Sequence, residues 1–212
     1  DRIVGLLHNS PMKIKDVILE TPYLTGRGKR NLQTLVGATM SHASFARDYT
    51  KLGQTVDHSF WISNDHDRAY VTRLFPDDSG RNEILAVVTF DNRADDVPVQ
   101  NPLQIHTAYT AVVGHQNIGL MTALYDALVK RGFTVISDFE HSSDAAGLWK
   151  GLGRKAGGRG LAIHVWSDDT SDWIRDAAGQ PIQYDGTNID PAHIWHKDQS
   201  KPTSLLVCVS SR

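Results

Sequence analysis

The sequence predicts an α/β fold with a mixed sheet. Residues 69–90 have the pattern of a β-hairpin, and residues 103–166 alternate between strand-like and helical segments. A further apolar run at 205–209 is predicted to close the sheet. Hairpins join antiparallel strands whereas helical crossovers join parallel ones, so both kinds of pairing are expected. The 212 residues are enough for one domain with a sizeable buried core.

The whole chain is interpreted as a single domain with three parts. Residues 1–56 are predicted to be mainly helical or irregular, with a helix over 32–49. The core is assigned to 57–166, and 167–212 is a turn-rich extension that ends in the closing strand. A short helix is expected within that extension, near 171–178.

The hairpin is predicted from residue types. The runs 69–75 and 83–90 are rich in aromatic and β-branched residues, and the segment 76–80 between them, Pro-Asp-Asp-Ser-Gly, favours a turn. A short strand at 60–63 precedes the hairpin. The polar segment 91–102 holds two prolines and is predicted to be a loop.

A strand over 103–113 is predicted to lead into an amphipathic helix. Leucines recur every four residues within 119–131, which is the spacing of one helical face. Gly132 stands where a glycine ends many helices, and the apolar run 133–137 is predicted to be the next strand.

A second helix is predicted to start near a serine and to carry an apolar face. Ser142 or Ser143 suits the N-cap, and Trp149 lies among the apolar residues that follow. The glycine-rich segment 157–160 is predicted to be a flexible loop, followed by a strand over 161–166.

Composition excludes several classes of protein. The formal net charge is -2, so no global field attracts nucleic acid or an anionic membrane, and the basic run 26–30 is interpreted as a solvated loop. The lone cysteine, Cys208, cannot form an internal disulfide and lies in an apolar run. No membrane-spanning segment and no signal peptide is recognised, so a cytoplasmic location is expected.

A metal site is not expected, although the chain has 10 histidines. His193 and His196 have i, i+3 spacing, and Asp190 and Asp198 lie close by in the sequence. Neither a cysteine pair nor a His-Glu-x-x-His helix accompanies them.

The segment 113–121, Val-Gly-His-Gln-Asn-Ile-Gly-Leu-Met, lies at a predicted strand-to-helix junction. The first N–H groups of a helix lack intrahelical partners, and the helix dipole adds partial positive charge there, so such a junction can hold a phosphate. The segment is neither a Walker A loop nor a dinucleotide fingerprint, because the Gly-Lys-Ser/Thr and the glycine triplet are absent.

This segment resembles the pyrophosphate loop of GNAT-type acyl-CoA N-acyltransferases. Gln116 and Gly119 match the first two places of the Arg/Gln-x-x-Gly-x-Gly/Ala pattern, and Met121 takes the third. Downstream, the family has Asn-x-x-Ala-x-x-Leu-Tyr, which Ser142 begins and Trp149 ends in this chain. The order of predicted elements over 69–166 also follows the family.

The resemblance implies a mostly antiparallel sheet flanked by helices, with splayed central strands at 105–113 and 133–137. The pantetheine arm of acetyl-CoA would lie in the gap between these strands, and the N–H groups of residues 117–121 would hold the pyrophosphate. The implied acyl-CoA-binding residues are Ala111, Val112, Val113, Gln116, Asn117, Ile118, Gly119, Leu120, Met121, Ser142 and Trp149.

In this family an amine attacks the thioester, a base takes its proton and an acid protonates the thiolate. The usual acid is the tyrosine of the Leu-Tyr pair, but Trp149 stands there, and an indole is no useful acid. Tyr109, Tyr125 or Ser142 are the substitutes, or the thiolate leaves unassisted. The candidate bases Asp138, Glu140 and His141 follow a strand that borders the cleft, although Asp138 or Ser142 is equally suited to cap the next helix.

Residues 137–141, followed by Leu148 and Trp149, are similar to GNAT-like proteins encoded by bacteriophages. The resemblance as a whole implies transfer of an acetyl group from acetyl-CoA to an amine on a nucleobase, a protein or a small metabolite. For a phage-encoded protein the location would be the bacterial host cytoplasm or the virion. The alternative is a GNAT-fold protein without catalysis that serves as a virion component or binds a host protein.

Overall fold

The structure is a computed structural model that describes residues 17–19, 35–74, 80–91, 97–111, 119–138, 143–194 and 204–211. Within these ranges the chain forms an α/β fold with a mostly antiparallel sheet of eleven strands, as the sequence predicts. None of the described helices has the length and apolar character that a membrane-spanning helix requires.

The elements are numbered in chain order. The strands are β1 Val17–Leu19, β2 Thr39–Ser41, β3 Tyr49–Gln54, β4 Ser59–Ser63, β5 Arg68–Leu74, β6 Arg81–Asp91, β7 Pro102–Ala111, β8 Thr134–Ile136, β9 Leu161–Ser167, β10 Asp172–Trp173 and β11 Ser204–Ser210. The helices are α1 His42–Asp48, α2 Leu120–Lys130, α3 Ser143–Arg159 and α4 Pro191–Ile194.

The sheet has the strand order β10-β9-β11-β8-β7-β6-β5-β4-β3, with β1 paired to β7 and β2 paired to β6. Strands β3 to β7 are consecutive antiparallel neighbours, which confirms the predicted hairpin of β5 and β6. Among the described pairings, β7 with β8 is the parallel one, and α2 lies between these two strands in the chain. This crossover explains why the sheet is mixed.

The parallel pairing of β7 with β8 is short. It joins Pro102 to Thr134, Leu103 to Val135 and Gln104 to Ile136. Strand β8 ends there, whereas β7 continues to Ala111. The second half of β7 therefore has no β8 residue beside it in the described part of the chain.

The prediction of an amphipathic helix within 119–131 is confirmed by α2, which has one buried face and a glycine after its end. Leu124 and Leu128 are fully buried, and Gly132 has a φ of 88°, the left-handed conformation that glycine adopts most readily. The Arg131 guanidinium, just past the helix, donates to the backbone oxygens of Leu52 at 2.9 Å and Lys51 at 3.2 Å. These oxygens lie at a register shift in β3, so Arg131 joins α2 to that strand.

Helix α3 is longer than expected, and the prediction of a loop over 157–160 is wrong. The helix continues through Gly157 and Gly158 and ends before Gly160, which has a φ of 71°. Leu152 and Ala156 are buried on its sheet-facing side. Their burial offsets the low helix propensity of the exposed glycines.

Two further predictions are wrong. Residues 49–54 form β3 rather than part of a helical or irregular region, because their backbone pairs with β4. Within the expected helix over 32–49, the described residues include β2 over 39–41, which pairs with β6, and α1 over 42–48. The segment 171–178 is not helical, because β10 pairs with β9 and a tight turn follows in which Arg175 donates to the Gly179 carbonyl oxygen.

Side chains that alternate along the strands form cores on both faces of the sheet. Helices α2 and α3 cover one face, where the largest cluster of apolar side chains lies. Helix α1 covers part of the other face through Phe45. The second cluster consists of Phe45, Trp61, Tyr70, Ile84, Val87 and Tyr109.

Candidate functional site

The candidate site is the junction between β7 and α2. Gly119 is the N-cap of α2 and has a φ of 96°. No side chain among the described residues caps this helix start, and the first turn carries no acidic residue. The N–H groups of that turn therefore meet no carboxylate of their own helix, which suits an incoming anion. Among the described residues, no atom would lie within 4 Å of a Cβ added at Gly119.

The other loop residues contribute unequally. Leu120 and Met121 are buried in the main core, so they can offer a ligand backbone groups and not side chains. Val112, Val113, Gln116, Asn117 and Ile118 lie outside the described residues.

The end of β8, the parallel neighbour of β7, is held by hydrogen bonds to β11. The Ser137 N–H donates to the Leu206 oxygen at 2.8 Å, and the Leu206 N–H donates to Ser137 Oγ at 2.9 Å. These two bonds fix the end of β8 to β11. Asp138 is the next residue and is half-buried. Because α3 begins at Ser143, Asp138 does not occupy its N-cap position.

The other predicted site residues that follow β8 lie outside the described residues; they are Glu140, His141 and Ser142. Among the candidate bases, Asp138 is therefore the one whose position the structure gives. It follows the carboxyl end of a strand that runs parallel to β7, so both strands point their carboxyl ends toward one side of the sheet.

The edge of β7 near this junction carries a strand that the sequence did not predict. Val17 pairs with Ala111, Ile18 with Thr110 and Leu19 with Tyr109. The run Val-Ile-Leu is apolar and its first two residues are β-branched, but three residues are too few to distinguish a strand from other apolar segments. Backbone groups of Ala111, which the resemblance assigns to the pantetheine arm, are thus beside β1 in this structure.

Tyr109 belongs to the aromatic cluster on the α1 side of the sheet. Its side chain is fully buried, and its hydroxyl has no hydrogen-bond partner among the described residues. Burial raises the pKa of the Tyr109 hydroxyl because the charged form would lose its hydration. The hydroxyl therefore keeps its proton at neutral pH.

Trp149 packs in the core on the helical side of the sheet. It is 2% exposed, and its ring lies against Tyr125 with centroids 5.8 Å apart at 30°. Its position is that of a packing residue. The place that the resemblance assigns to a tyrosine acid is thus filled by a buried indole.

The described histidines outside this junction show no metal site. His106 is exposed in β7, at a register shift where Thr89 pairs with Thr107 and Phe90 with Ile105. Within the described ranges, His, Cys, Asp and Glu side chains form no group of three that could hold a metal ion. Of the C-terminal histidines, His193 lies in α4, and His196 is outside those ranges.

A depression lies at the end of β7 that is opposite to the junction. Its volume is about 200 Å³, and sequence reasoning missed it because its walls come from four separate segments. Two of its residues, His66 and Asn101, have positive φ values of 59° and 47°. Its lining includes Asp65, His66, Phe90, Asp91, Asn101 and Phe133.

The fold and the junction define an α/β protein whose sheet is mostly antiparallel and whose parallel pair, β7 and β8, is connected through α2. Comparison of the chain with protein-family models, curated proteins and solved structures finds no match. Function therefore has to be argued from the junction itself.

Proposed function

We propose that the protein is a GNAT-type N-acyltransferase that binds acetyl-CoA at the junction of β7, β8 and α2. One observation carries this proposal: β7 and β8 run parallel, pair only over Pro102–Gln104 and Thr134–Ile136 in the described chain, and are connected through a helix that starts at Gly119. Parallel strands that part in this way leave a crevice beyond their paired ends, where α/β proteins commonly bind ligands.

The crevice suits a phosphate-bearing ligand at one end. The α2 N-terminus offers N–H groups that no described side chain caps, a positive dipole end and a glycine without a side chain. The order of strands also supports the proposal, because a run of consecutive antiparallel strands precedes the parallel pair and β11 lies between β8 and β9. The sequence pattern of Gln116 and Gly119 adds the family-specific element.

The proposed reaction is an attack of an amine nitrogen on the thioester carbonyl carbon. A nitrogen–carbon bond forms, the carbon–sulfur bond breaks, and the thiolate of CoA leaves. We assign Asp138 as the base that takes the amine proton, with Glu140 and His141 as further candidates. Tyr109 of β7 is assigned as the acid that protonates the thiolate. Burial raises the pKa of its hydroxyl, which makes it a weaker acid than an exposed tyrosine.

A second candidate function is a GNAT-fold protein without catalysis, acting as a phage structural or host-binding protein. The burial of Trp149 against Tyr125 favours it, because this residue cannot replace a tyrosine acid. The Tyr109 hydroxyl is likewise enclosed by the aromatic cluster of β4, β5 and α1. In this alternative, acetyl-CoA would still bind or would have lost its site, but no acyl group would move.

Calorimetric titration of acetyl-CoA tests the proposal. The wild type is expected to bind, and Gly119→Trp is expected to lose binding because the indole would fill the space at the helix start. Gly132→Trp is the matched control. It has a similar positive φ and, like Gly119, no described atom within 4 Å of an added Cβ, but it lies at the other end of α2, where no anion is expected. Equal binding by both variants would refute the assignment of the pyrophosphate to Gly119.

Turnover is measured separately, by release of free thiol from acetyl-CoA with a panel of nucleobase, peptide and small-metabolite amines. Asp138→Asn is expected to lower kcat by about 10²–10⁴-fold, the usual contribution of a general base. Tyr109→Phe is expected to lower kcat with little change in acetyl-CoA affinity. Binding without thiol release for any amine class would favour the non-catalytic alternative.

A further inference from the structure

We propose that β1 is an internal competitor of acetyl-CoA: the strand Val17–Leu19 and the pantetheine arm use the same edge of β7. This inference rests on the function proposed above. It identifies a regulatory contact that the chain makes with its own substrate edge.

The competition follows from the limited number of hydrogen bonds that each backbone group can make. Strand β7 has two edges, and at Tyr109 and Thr110 one of them is taken by Val87 and Ala86 of β6. The remaining edge pairs with β1 through Tyr109, Thr110 and Ala111. Each backbone N–H donates once, so a pantetheine arm that bonds like a strand at Ala111 cannot pair there while β1 is present.

The position of β1 matches the place where β8 stops. Strand β8 borders β7 as far as Gln104, and β1 borders it from Tyr109 onward. The second half of the β7 edge is therefore a gap in the sheet, which an extended chain fills. A peptide strand and a pantetheine arm are both extended and both carry amide groups, so the same edge accepts either one.

The strength of β1 pairing sets the size of the effect. Three residue pairs hold it, and each net backbone hydrogen bond corresponds to roughly a five-fold change in an equilibrium constant. If β1 occupies the edge in most molecules, the apparent affinity for acetyl-CoA equals the intrinsic affinity multiplied by the fraction of molecules whose edge is open. Release of β1, for example by a partner that binds the N-terminal part, would raise that affinity.

Neighbouring proline variants test this inference in the full chain. In an antiparallel pair, alternate residues direct their N–H and C=O toward the partner strand, so either Ile18 or its neighbour Val17 bonds to β7, and the other faces away. Proline removes the N–H, which breaks the pairing at the bonded position and is tolerated at the other. One of Val17→Pro and Ile18→Pro is expected to bind acetyl-CoA at least about five-fold tighter than the wild type.

A locked variant gives the opposite perturbation. Ile18→Cys with Thr110→Cys replaces two directly opposed residues, and oxidation would fix β1 on β7. Acetyl-CoA binding should be lost in the oxidised form and recovered on reduction, while circular dichroism checks that all variants are folded.

The outcomes separate this inference from the function on which it rests. Tighter binding by one proline variant, with loss in the oxidised lock, supports competition. Equal affinity for acetyl-CoA in the wild type, both proline variants and the oxidised lock would overturn competition and leave the acyl-CoA site in place. No binding by any of these proteins would overturn both.

Discussion

Two glycines bring the backbones of α3 and the C-terminal extension close together, and this approach yields a sharp prediction. A Cβ added at Gly153 would lie 2.7 Å from the Gly186 nitrogen and 3.1 Å from the Asp185 carbonyl carbon. A Cβ added at Gly186 would lie 2.5 Å from the Lys150 oxygen. All of these neighbours are backbone atoms, so a rotamer change cannot relieve the overlap.

The size of the effect follows from two opposed terms. Overpacking against backbone costs about 2–3 kcal/mol, near the upper end of the usual range. Replacing a mid-helix glycine by alanine returns about 0.5–1 kcal/mol. Gly153→Ala is therefore expected to lower the free energy of unfolding by about 1–2.5 kcal/mol.

Gly151→Ala is the matched control, because it lies in the same helix and its Cβ would meet no atom within 4 Å. It gains the propensity term without the overlap, so the two variants should differ by about 2–3 kcal/mol, or by about 4–12 °C in Tm. Urea and thermal unfolding measure both quantities. Equal stability of the two alanine variants would show that the turn at Gly186 is not packed on α3, and the reasoning would fail.

Three further predictions concern buried groups. Thr72→Val should lower the free energy of unfolding by about 1–3 kcal/mol, because the buried Trp61 Nε1–H loses its acceptor at 3.0 Å. Thr107→Val is the control and should cost little, because the Thr107 Oγ1 has no partner among the described residues. Equal losses of stability in urea unfolding would contradict this prediction. Iodoacetamide should leave Cys208 unmodified in the native protein and alkylate it in denaturant, because the thiol is buried and its pKa is raised to about 12; alkylation at the rate of a free thiol would contradict burial. The unfolded chain loses the Cys208 proton from about pH 9 while the folded chain retains it, so the free energy of unfolding should fall between about pH 9 and 12. In Cys208→Ala this fall should be less steep. Identical slopes of stability against pH in the two proteins would refute the contribution of Cys208.

Local signals predicted part of the fold. The spacing of Leu120, Leu124 and Leu128, with Gly132 after them, indicates helix α2 because both signals lie within the element. Strand β1 could not be recognised in this way, since its pairing partner β7 is far away in the chain. Strand β3 pairs with its neighbour β4, but Gly53 and the polar residues around it do not have the β-branched and aromatic pattern of a strand. The sequence did not predict that α3 extends through Gly157, because helix propensity takes no account of tertiary burial such as that of the nearby Ala156.

The candidate site was predicted unevenly for a similar reason. The place of Asp138 after β8 and the role of Gly119 at the helix start follow from element order. The burial of Tyr109 does not, because it depends on Phe45 of α1 covering the far face of the sheet. The occupation of the β7 edge by β1 depends on chain regions about 90 residues apart, and no local pattern encodes such a contact.

The short parallel pairing of β7 with β8, which consists of three residue pairs, also affects how the chain folds. It divides the sheet into a meander of β3 to β7, which forms from contacts between sequence neighbours, and a second group of β8, β11, β9 and β10. Helix α2 contacts β3 and β5 in the first group and β8 and β11 in the second. A folding intermediate without docked α2 would hold two partial sheets joined by three residue pairs, so the cooperativity of the domain depends on this helix. The same helix whose start we assign to acetyl-CoA would then be the element whose docking completes the domain.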